Sequence, residues 1–192
     1  MSLIPAFEIG LWNAWIFMIW LLIQNFGIRL ISKEVYQKAG QPPDMKLSQT
    51  YKIISYISMP LWLLATAYSI FLPFKLGTIW FATGLIIFLL GLIVNILATI
   101  NFATTPMNEP VTRGVYRYSR HPIYIALFLI YLSVSIASAS WVFLLFTVLL
   151  VVQVSFSATE EERYCLWKYG DAYREYMNRT PRWIGIPKSG KG

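Results

Sequence analysis

The sequence is poor in the residues on which many enzymes and metalloproteins depend. It has one histidine, one cysteine and only 13% charged residues among 192 positions. A lone cysteine excludes a disulfide bond within the chain, and with a single histidine we predict that no metal is bound. No glycine-rich phosphate loop, GxSxG segment or HExxH segment occurs. The chemistry that these motifs mark is therefore not indicated.

Apolar sequence is abundant instead. Hydrophobic residues make up 57% of the chain and aromatic residues 17%, and the mean hydropathy is +0.55. Several apolar runs approach the roughly 20 residues that cross a bilayer about 30 Å thick. We predict an integral membrane protein of the all-α class, with residues 1–192 as a single membrane-embedded domain, because no polar segment is long enough for its own core. The start lacks a basic n-region and a small-residue cleavage site, so we expect the first span to be retained.

The apolar runs predict a polytopic bundle of five transmembrane helices. Only the uncharged residues 137–140 separate the last two, which predicts a tight hairpin; a four-span alternative needs one helix much longer than the bilayer. Gly77, Gly84 and Gly91 recur every seven residues and predict a stripe where another helix approaches closely. The predicted spans are about 11–31, 53–72, 78–100, 121–138 and 141–158, followed by a cytosolic helical tail over 159–192.

The tail has the pattern of an amphipathic helix. Thr159 and Glu162 have the spacing of a capping box, which predicts that a new helix begins there. An apolar and aromatic face follows at spacings of three and four, with a break expected at Gly170-Asp171. The residues of that face are Leu166, Tyr169, Tyr173 and Tyr176.

Basic residues are distributed unequally between the two predicted sides. One side holds five at and after the end of the first span, three before the fourth span and seven in the tail, which makes fifteen of sixteen; the other holds only Lys75. The positive-inside rule therefore predicts an external N-terminus and a cytosolic C-terminus. The net charge of +7 follows from this topology and from attraction to anionic lipid, so we predict a lipid bilayer and no nucleic acid as partner. The first two groups are Arg29, Lys33, Lys38, Lys46 and Lys52, and Arg113, Arg117 and Arg120.

Two polar clusters flank the last two spans, Arg120-His121-Pro122-Ile123-Tyr124 and Glu160-Glu161-Glu162. Pro122 suits the first turn of a helix, which puts His121 at the N-cap and directs free amides at the cytosolic border, where they suit a carboxylate or phosphate. The alternatives are that His121 only caps its helix, that Arg120 meets lipid phosphate, and that the glutamates begin the tail helix or pair with arginines. Because the hairpin brings both clusters together, we expect His121 and Glu161 to face one pocket.

A positive helix end beside a carboxylate suits a zwitterionic ligand such as S-adenosylmethionine, whose carboxylate would meet the amides and whose ribose hydroxyls a glutamate can accept from. Asn95 and Asn101 lie near the end of the third span. Their amides could contact the same ligand, or they could join helices by hydrogen bonds.

From Asn101 to Pro187 the chain resembles the isoprenylcysteine carboxyl methyltransferase family and the related phospholipid methyltransferases. The first two spans contribute nothing to the resemblance. The matching pieces are Gly114-Val115-Tyr116, Arg120-His121-Pro122-Ile123-Tyr124, Glu161-Glu162-Arg163, Tyr169-Gly170-Asp171-Ala172-Tyr173-Arg174-Glu175-Tyr176 and Pro181-Arg182.

The resemblance implies S-adenosylmethionine as methyl donor, with S-adenosylhomocysteine as product, and a lipid-attached methyl acceptor arriving from the bilayer. Donor contacts are implied at His121, Pro122, Ile123, Tyr124, Tyr116, Asn108, Glu109, Pro110, Val111, Glu161 and Asn101. The family's prenylcysteine enzymes have an arginine for the substrate carboxylate at the position of Ser157, so Arg163 or Arg113 would have to replace it here.

The expected acceptor is the carboxylate of a prenylated cysteine. A carboxyl group with a pKa near 4 is ionised at neutral pH, so direct in-line attack on the sulfonium methyl needs no general base, and we assign no catalytic base. A lipid amine is the alternative acceptor and would need one, from Glu161, Glu162 or His121. Two further alternatives are an NADPH-dependent sterol-type reductase, which would bind reduced nicotinamide, and a non-enzymatic scaffold, which would tolerate loss of His121, Tyr124 and Glu161.

Overall fold

The computed structural model describes residues 7–31 and 48–187. In these ranges the chain is helical, and no strand occurs apart from a single antiparallel bridge between Asn13 and Pro73. The α-helices are α1 (Trp15–Ile31), α2 (Gln49–Ile70), α3 (Ile79–Ala103), α4 (Pro122–Ala137), α5 (Trp141–Tyr169) and α6 (Asp171–Arg179), and a short 3-10 helix (Gly114–Arg117) precedes α4. Residues 1–6 and the basic residues Lys33, Lys38, Lys46, Lys188 and Lys191, on which topology predictions rest, lie outside the described residues.

Three of the described helices are long and apolar enough to cross a membrane: Tyr51–Ile70 in α2, Ile79–Ala103, and Trp141–Tyr169. Two shorter apolar helices, Trp15–Gln24 and Pro122–Ala137, coincide with the first and fourth predicted spans. The all-helical membrane class is thus confirmed. The number of five crossings stays a prediction.

The helix ends fall into two groups. Phe74 N donates to Trp12 O at 3.1 Å and Lys75 N donates to Ala137 O at 2.9 Å, so the α2–α3 connection meets both the start of α1 and the end of α4. The beginning of α4 and the far part of α5 therefore lie together at the opposite end of the bundle. This opposite end carries both polar clusters.

Close packing of α3 on α4 depends on glycine. A methyl group added at Gly84 would lie 2.6 Å from the backbone nitrogen of Ala137, and one at Gly91 would lie 3.3 Å from the carbonyl oxygen of Ala126. The stripe predicted from the sequence is confirmed at these two positions. It is wrong for Gly77, which has a φ of +72° and lies in the turn before α3 begins at Ile79.

Helices α4 and α5 are joined by residues 138–140 alone, which confirms the predicted short connection. Ala139 takes a left-handed φ of +50°, and the Ser140 hydroxyl caps α5 by accepting from Phe143 N at 3.2 Å. Across the pair, the hydroxyls of Ser135 and Thr147 lie 3.0 Å apart. The 16 residues of α4 rise about 24 Å, which brings the start of α4 level with the region of α5 around Ser157 and Glu161.

The predicted capping box at Thr159 and Glu162 is wrong. Helix α5 continues without a break to Tyr169, and the Thr159 hydroxyl donates back to Ser155 O at 3.1 Å inside it. A capping box needs a helix that starts anew, whereas the buried face of α5 runs on through Ser157 and Ala158. The break comes at Gly170, as expected, with a φ of +56°.

Two hydrophobic clusters hold the bundle together. The larger includes Phe17, whose ring stacks on Phe88 at 4.0 Å, and the fully buried Phe143. The smaller lies at the end that carries the polar clusters, where Tyr173 and Tyr176 of α6 pack on Tyr116. Its four buried residues are Ala98, Tyr116, Tyr173 and Tyr176.

Candidate functional site

His121 is the N-cap residue of α4, and Pro122 occupies the first turn. The carbonyl oxygen of His121 accepts from Tyr124 N at 3.1 Å, and its own amide donates to the Ser119 hydroxyl at 3.0 Å. The imidazole makes no capping hydrogen bond. The ring of this buried residue is therefore left for other contacts.

The imidazole lies between the two carboxylates of α5. Its Nδ1 is 3.5 Å from an oxygen of Glu161, and its Nε2 is 3.1 Å from an oxygen of Glu162. Burial disfavours the charged ring and lowers the pKa of His121, but hydrogen bonds to Glu161 and Glu162 and their negative charges outweigh burial, so the pKa is raised above its ordinary value. The predicted meeting of His121 with Glu161 is observed.

The two adjacent glutamates have different surroundings. The side chain of Glu161 is 44% exposed, whereas that of Glu162 is 5% exposed. The Tyr124 hydroxyl donates to Glu161 and interacts with Ser157, one turn earlier on α5. Glu161 is thus the carboxylate that a ligand can reach.

Glu162 is enclosed by positive groups. Arg120 lies 3.2 Å from one carboxylate oxygen, and Arg182 Nε donates to the same oxygen at 3.1 Å while its terminal nitrogen pairs with the other. Arg120 Nε is buried and has no hydrogen-bond partner among the described residues. Pairing of a glutamate with an arginine, one of the alternatives from the sequence, is observed between Glu162 and Arg120, whereas the contact of Glu162 with Arg182 was not predicted.

Asn101 and Tyr116 are held by local structure. The Asn101 side-chain oxygen accepts from Val115 N at 3.2 Å, and a side chain on Gly114, whose φ is +61°, would collide with Asn101. Tyr116 is buried, its carbonyl oxygen accepts from the Tyr176 hydroxyl at 2.7 Å, and burial raises the pKa of Tyr116. Asn95 joins two helices, since its oxygen accepts from Trp20 Nε1 at 3.0 Å.

The remaining candidates lie on the loop after α3 and in the first turn of α4. Asn108 and Glu109 are exposed on the loop after α3, and in the described part of the chain no side-chain hydrogen bond links either one to His121 or Glu161. Pro110 is half-buried on the same loop, and Val111 and Ile123 pack against the Tyr116 cluster.

The two arginines expected at the acceptor have partners of their own. Arg113 donates to the carbonyl oxygen of Thr104 at the end of α3, and Arg163 pairs with Glu160 at 2.6 Å. Their assignment to the acceptor stays a prediction. The described residues contain no group of three histidine, cysteine or acidic side chains that could hold a metal ion.

Comparison with known proteins identifies a family that this chain matches. Residues 74–172, just over half of the 192-residue chain, match the family model described as phospholipid methyltransferase. The protein-S-isoprenylcysteine O-methyltransferase of Schizosaccharomyces pombe is 37% identical over 78 residues, which are 40% of this chain and 32% of that protein. The match thus spans about a third of the relative's length. No solved structure matches the chain.

Proposed function

Because this chain belongs to the phospholipid methyltransferase family, we propose that it transfers a methyl group from S-adenosylmethionine to a lipid-attached acceptor at the cytosolic face of a membrane. The observation that carries the proposal is the exposed edge of Glu161 beside His121 and Tyr124, at the N-terminal end of α4.

The chemistry of these side chains fits the donor. S-adenosylmethionine supplies an electrophilic methyl group on a sulfonium, and it also bears a carboxylate, an ammonium and two ribose hydroxyls. The half-exposed Glu161 carboxylate can accept from the hydroxyls. The first turn of α4 offers the Ile123 amide and a positive dipole end to the carboxylate, because Pro122 has no amide hydrogen and the amides of Tyr124 and Ile125 donate to His121 O.

The favoured acceptor is the carboxylate of a prenylated cysteine, in keeping with the name of the yeast relative. Such a carboxylate is ionised at neutral pH, so the residues of the site need only align it with the methyl group and exclude water. No side chain has to remove a proton. This suits a site in which both carboxylates already have hydrogen-bonding partners.

A lipid amine is the second candidate acceptor. Ser157, where the family's prenylcysteine enzymes have an arginine, is buried and interacts with Tyr124. It places no positive charge beside a substrate carboxylate. An amine acceptor would use Glu161 or His121 as the base.

Binding of the donor tests the first part of the proposal. Purified protein in detergent should bind S-adenosylhomocysteine saturably by calorimetry, and Glu161→Gln should weaken binding about 10- to 100-fold, since a hydrogen bond to a charged group is worth about 1.5–3 kcal/mol. Glu175→Gln, which removes an equal charge on the surface of α6, is the matched control and should leave the affinity unchanged. Absence of saturable binding by monodisperse wild-type protein contradicts the proposal.

The chemical stability of the product distinguishes the acceptors. Membranes incubated with methyl-labelled donor should incorporate label into a lipid-soluble fraction. Label released by mild base indicates a methyl ester and a carboxylate acceptor. Label that survives base indicates an amine acceptor.

A further inference from the structure

The segment that follows α6 crosses the site beside His121. Residues 180–185, here named the C-terminal strap, are fixed by backbone hydrogen bonds to the residues just before α4. Arg120 N donates to Pro181 O at 3.0 Å, Gly185 N donates to Tyr118 O at 3.1 Å, and the Ser119 hydroxyl donates to Arg182 O at 3.2 Å. The strap lies outside residues 74–172, the range of the family match.

The strap reaches the imidazole through one carboxylate. Arg182 makes two contacts with Glu162, and Glu162 in turn lies 3.1 Å from His121 Nε2. The ring of Trp183 lies against the imidazole as well, with 5.8 Å between ring centroids. Arg182 itself does not contact Glu161, the carboxylate assigned to the donor, in the described structure.

We propose that Arg182 is a positioning residue, which holds Glu162 so that Glu162 fixes the His121 ring with Nδ1 facing Glu161. The contacts within the cluster exist whatever the ligand. The consequence for ligand affinity rests on the proposed function.

The charges around His121 determine how loss of Arg182 should affect its titration. His121 is faced by Glu161 and Glu162 from α5, by Arg120 beside it in sequence and by Arg182 from the strap. The ring of Tyr124 from α4 also lies against the imidazole, with 5.6 Å between ring centroids. The carboxylate of Glu162 interacts with Arg120, His121 and Arg182. Because Glu162 is nearly fully buried, solvent screens these interactions poorly. Without the positive charge of Arg182, the negative charge of Glu162 favours the protonated imidazole more strongly, so the pKa of His121 should rise.

The only histidine of the chain makes the test direct. Imidazole-labelled protein in lipid nanodiscs should give a single set of histidine NMR signals, whose pH titration reports His121 alone. Arg182→Gln should move the titration midpoint to higher pH, and Glu162→Gln should move it to lower pH. Arg179→Gln is the matched control, because it removes an equal charge from an exposed pair with Glu175 and should leave the midpoint in place.

Ligand affinity completes the test. Arg182→Gln should weaken S-adenosylhomocysteine binding about tenfold, because an imidazole that Glu162 no longer fixes does not hold Glu161 in place for the ligand. Arg182→Lys should restore the midpoint, since the charge returns, but only part of the affinity, since lysine lacks the planar fork.

Two outcomes overturn the inference: a midpoint in Arg182→Gln equal to that in Arg179→Gln, or unchanged ligand affinity in Arg182→Gln. If wild-type protein binds no ligand while the midpoints move in opposite directions as expected, the cluster is supported and the proposed function fails. The two failures are therefore distinguishable.

Discussion

At the scale of single residues, the adjacent glutamates Glu161 and Glu162 have different surroundings and different proposed roles. Glu161 is half-exposed and accepts from Tyr124, while Glu162 is buried among Arg120, His121 and Arg182. A turn of about 100° between them on α5 is enough to separate a carboxylate open to a ligand from one enclosed by protein. The sequence allowed prediction that Glu161 lies beside His121, as the structure shows. It did not reveal Arg182, because the contact depends on where the strap folds back.

The imidazole predicts a dependence of stability on pH. Since the folded protein raises the pKa of His121 above its unfolded value of about 6.5, the protonated ring stabilises the fold fully below that pH. This stabilisation is lost as the pH rises through the folded-state pKa, and it amounts to about 1.4 kcal/mol for each pH unit that separates the folded and unfolded pKa values. The difference in thermal midpoint between wild type and His121→Gln should therefore be larger at pH 6 than at pH 9. An equal difference at both pH values contradicts the assignment.

At the scale of helices, the sequence was informative about contacts and less so about ends. The short α4–α5 connection was predictable because few residues separate the two apolar runs. The close approach at Gly84 and Gly91 was predictable because glycine has no side chain to keep a neighbouring helix away. The end of α5 was not predictable from the sequence. Thr159 has the residue type of a cap, yet its hydroxyl bonds inside the helix, and only the buried surface around it shows that α5 continues.

Packing of α3 on α4 can be tested with one methyl group. Alanine is favoured over glycine inside a helix by about 1 kcal/mol, but Gly84→Ala would press on the backbone of Ala137. We expect a net loss of about 1–3 kcal/mol, as for other overpacked sites, measured as a lower thermal midpoint in detergent. Ala82→Leu on the exposed side of α3 adds more volume and should have little effect. Ala137→Gly should not rescue Gly84→Ala, because the backbone remains in the way.

At the scale of the whole molecule, the helix ends separate Lys75 from the polar clusters, and the orientation of the bundle in the membrane stays a prediction. The loop around Lys75 contacts the end of α4, whereas the polar clusters gather at the other end of the bundle. Three helices meet the requirements of a span, and the shorter α1 and α4 lie where the hydropathy pattern predicts two more. The positions of the spans could be predicted from sequence, because hydropathy and the placement of basic residues can be read for each segment by itself. The side-chain contacts that join one segment to another could be identified only from the structure.

The proposed orientation can be measured with single cysteines. In a Cys165→Ser background, Leu76→Cys should react with a membrane-impermeant maleimide added to intact cells, because the α2–α3 connection is expected outside. Glu175→Cys, exposed on α6, is the matched position and should react only after permeabilisation. Labelling of Glu175→Cys in intact cells contradicts the cytosolic placement of the site.

The hairpin keeps the imidazole and its two carboxylates close together in the sequence as well as in space. The imidazole and both carboxylates lie within residues 121–162, on two helices joined by three residues. Helices α1 and α2 precede this stretch and lie outside the family match. These three side chains are therefore encoded by one short, continuous stretch of the chain, to which the first two helices contribute none of them.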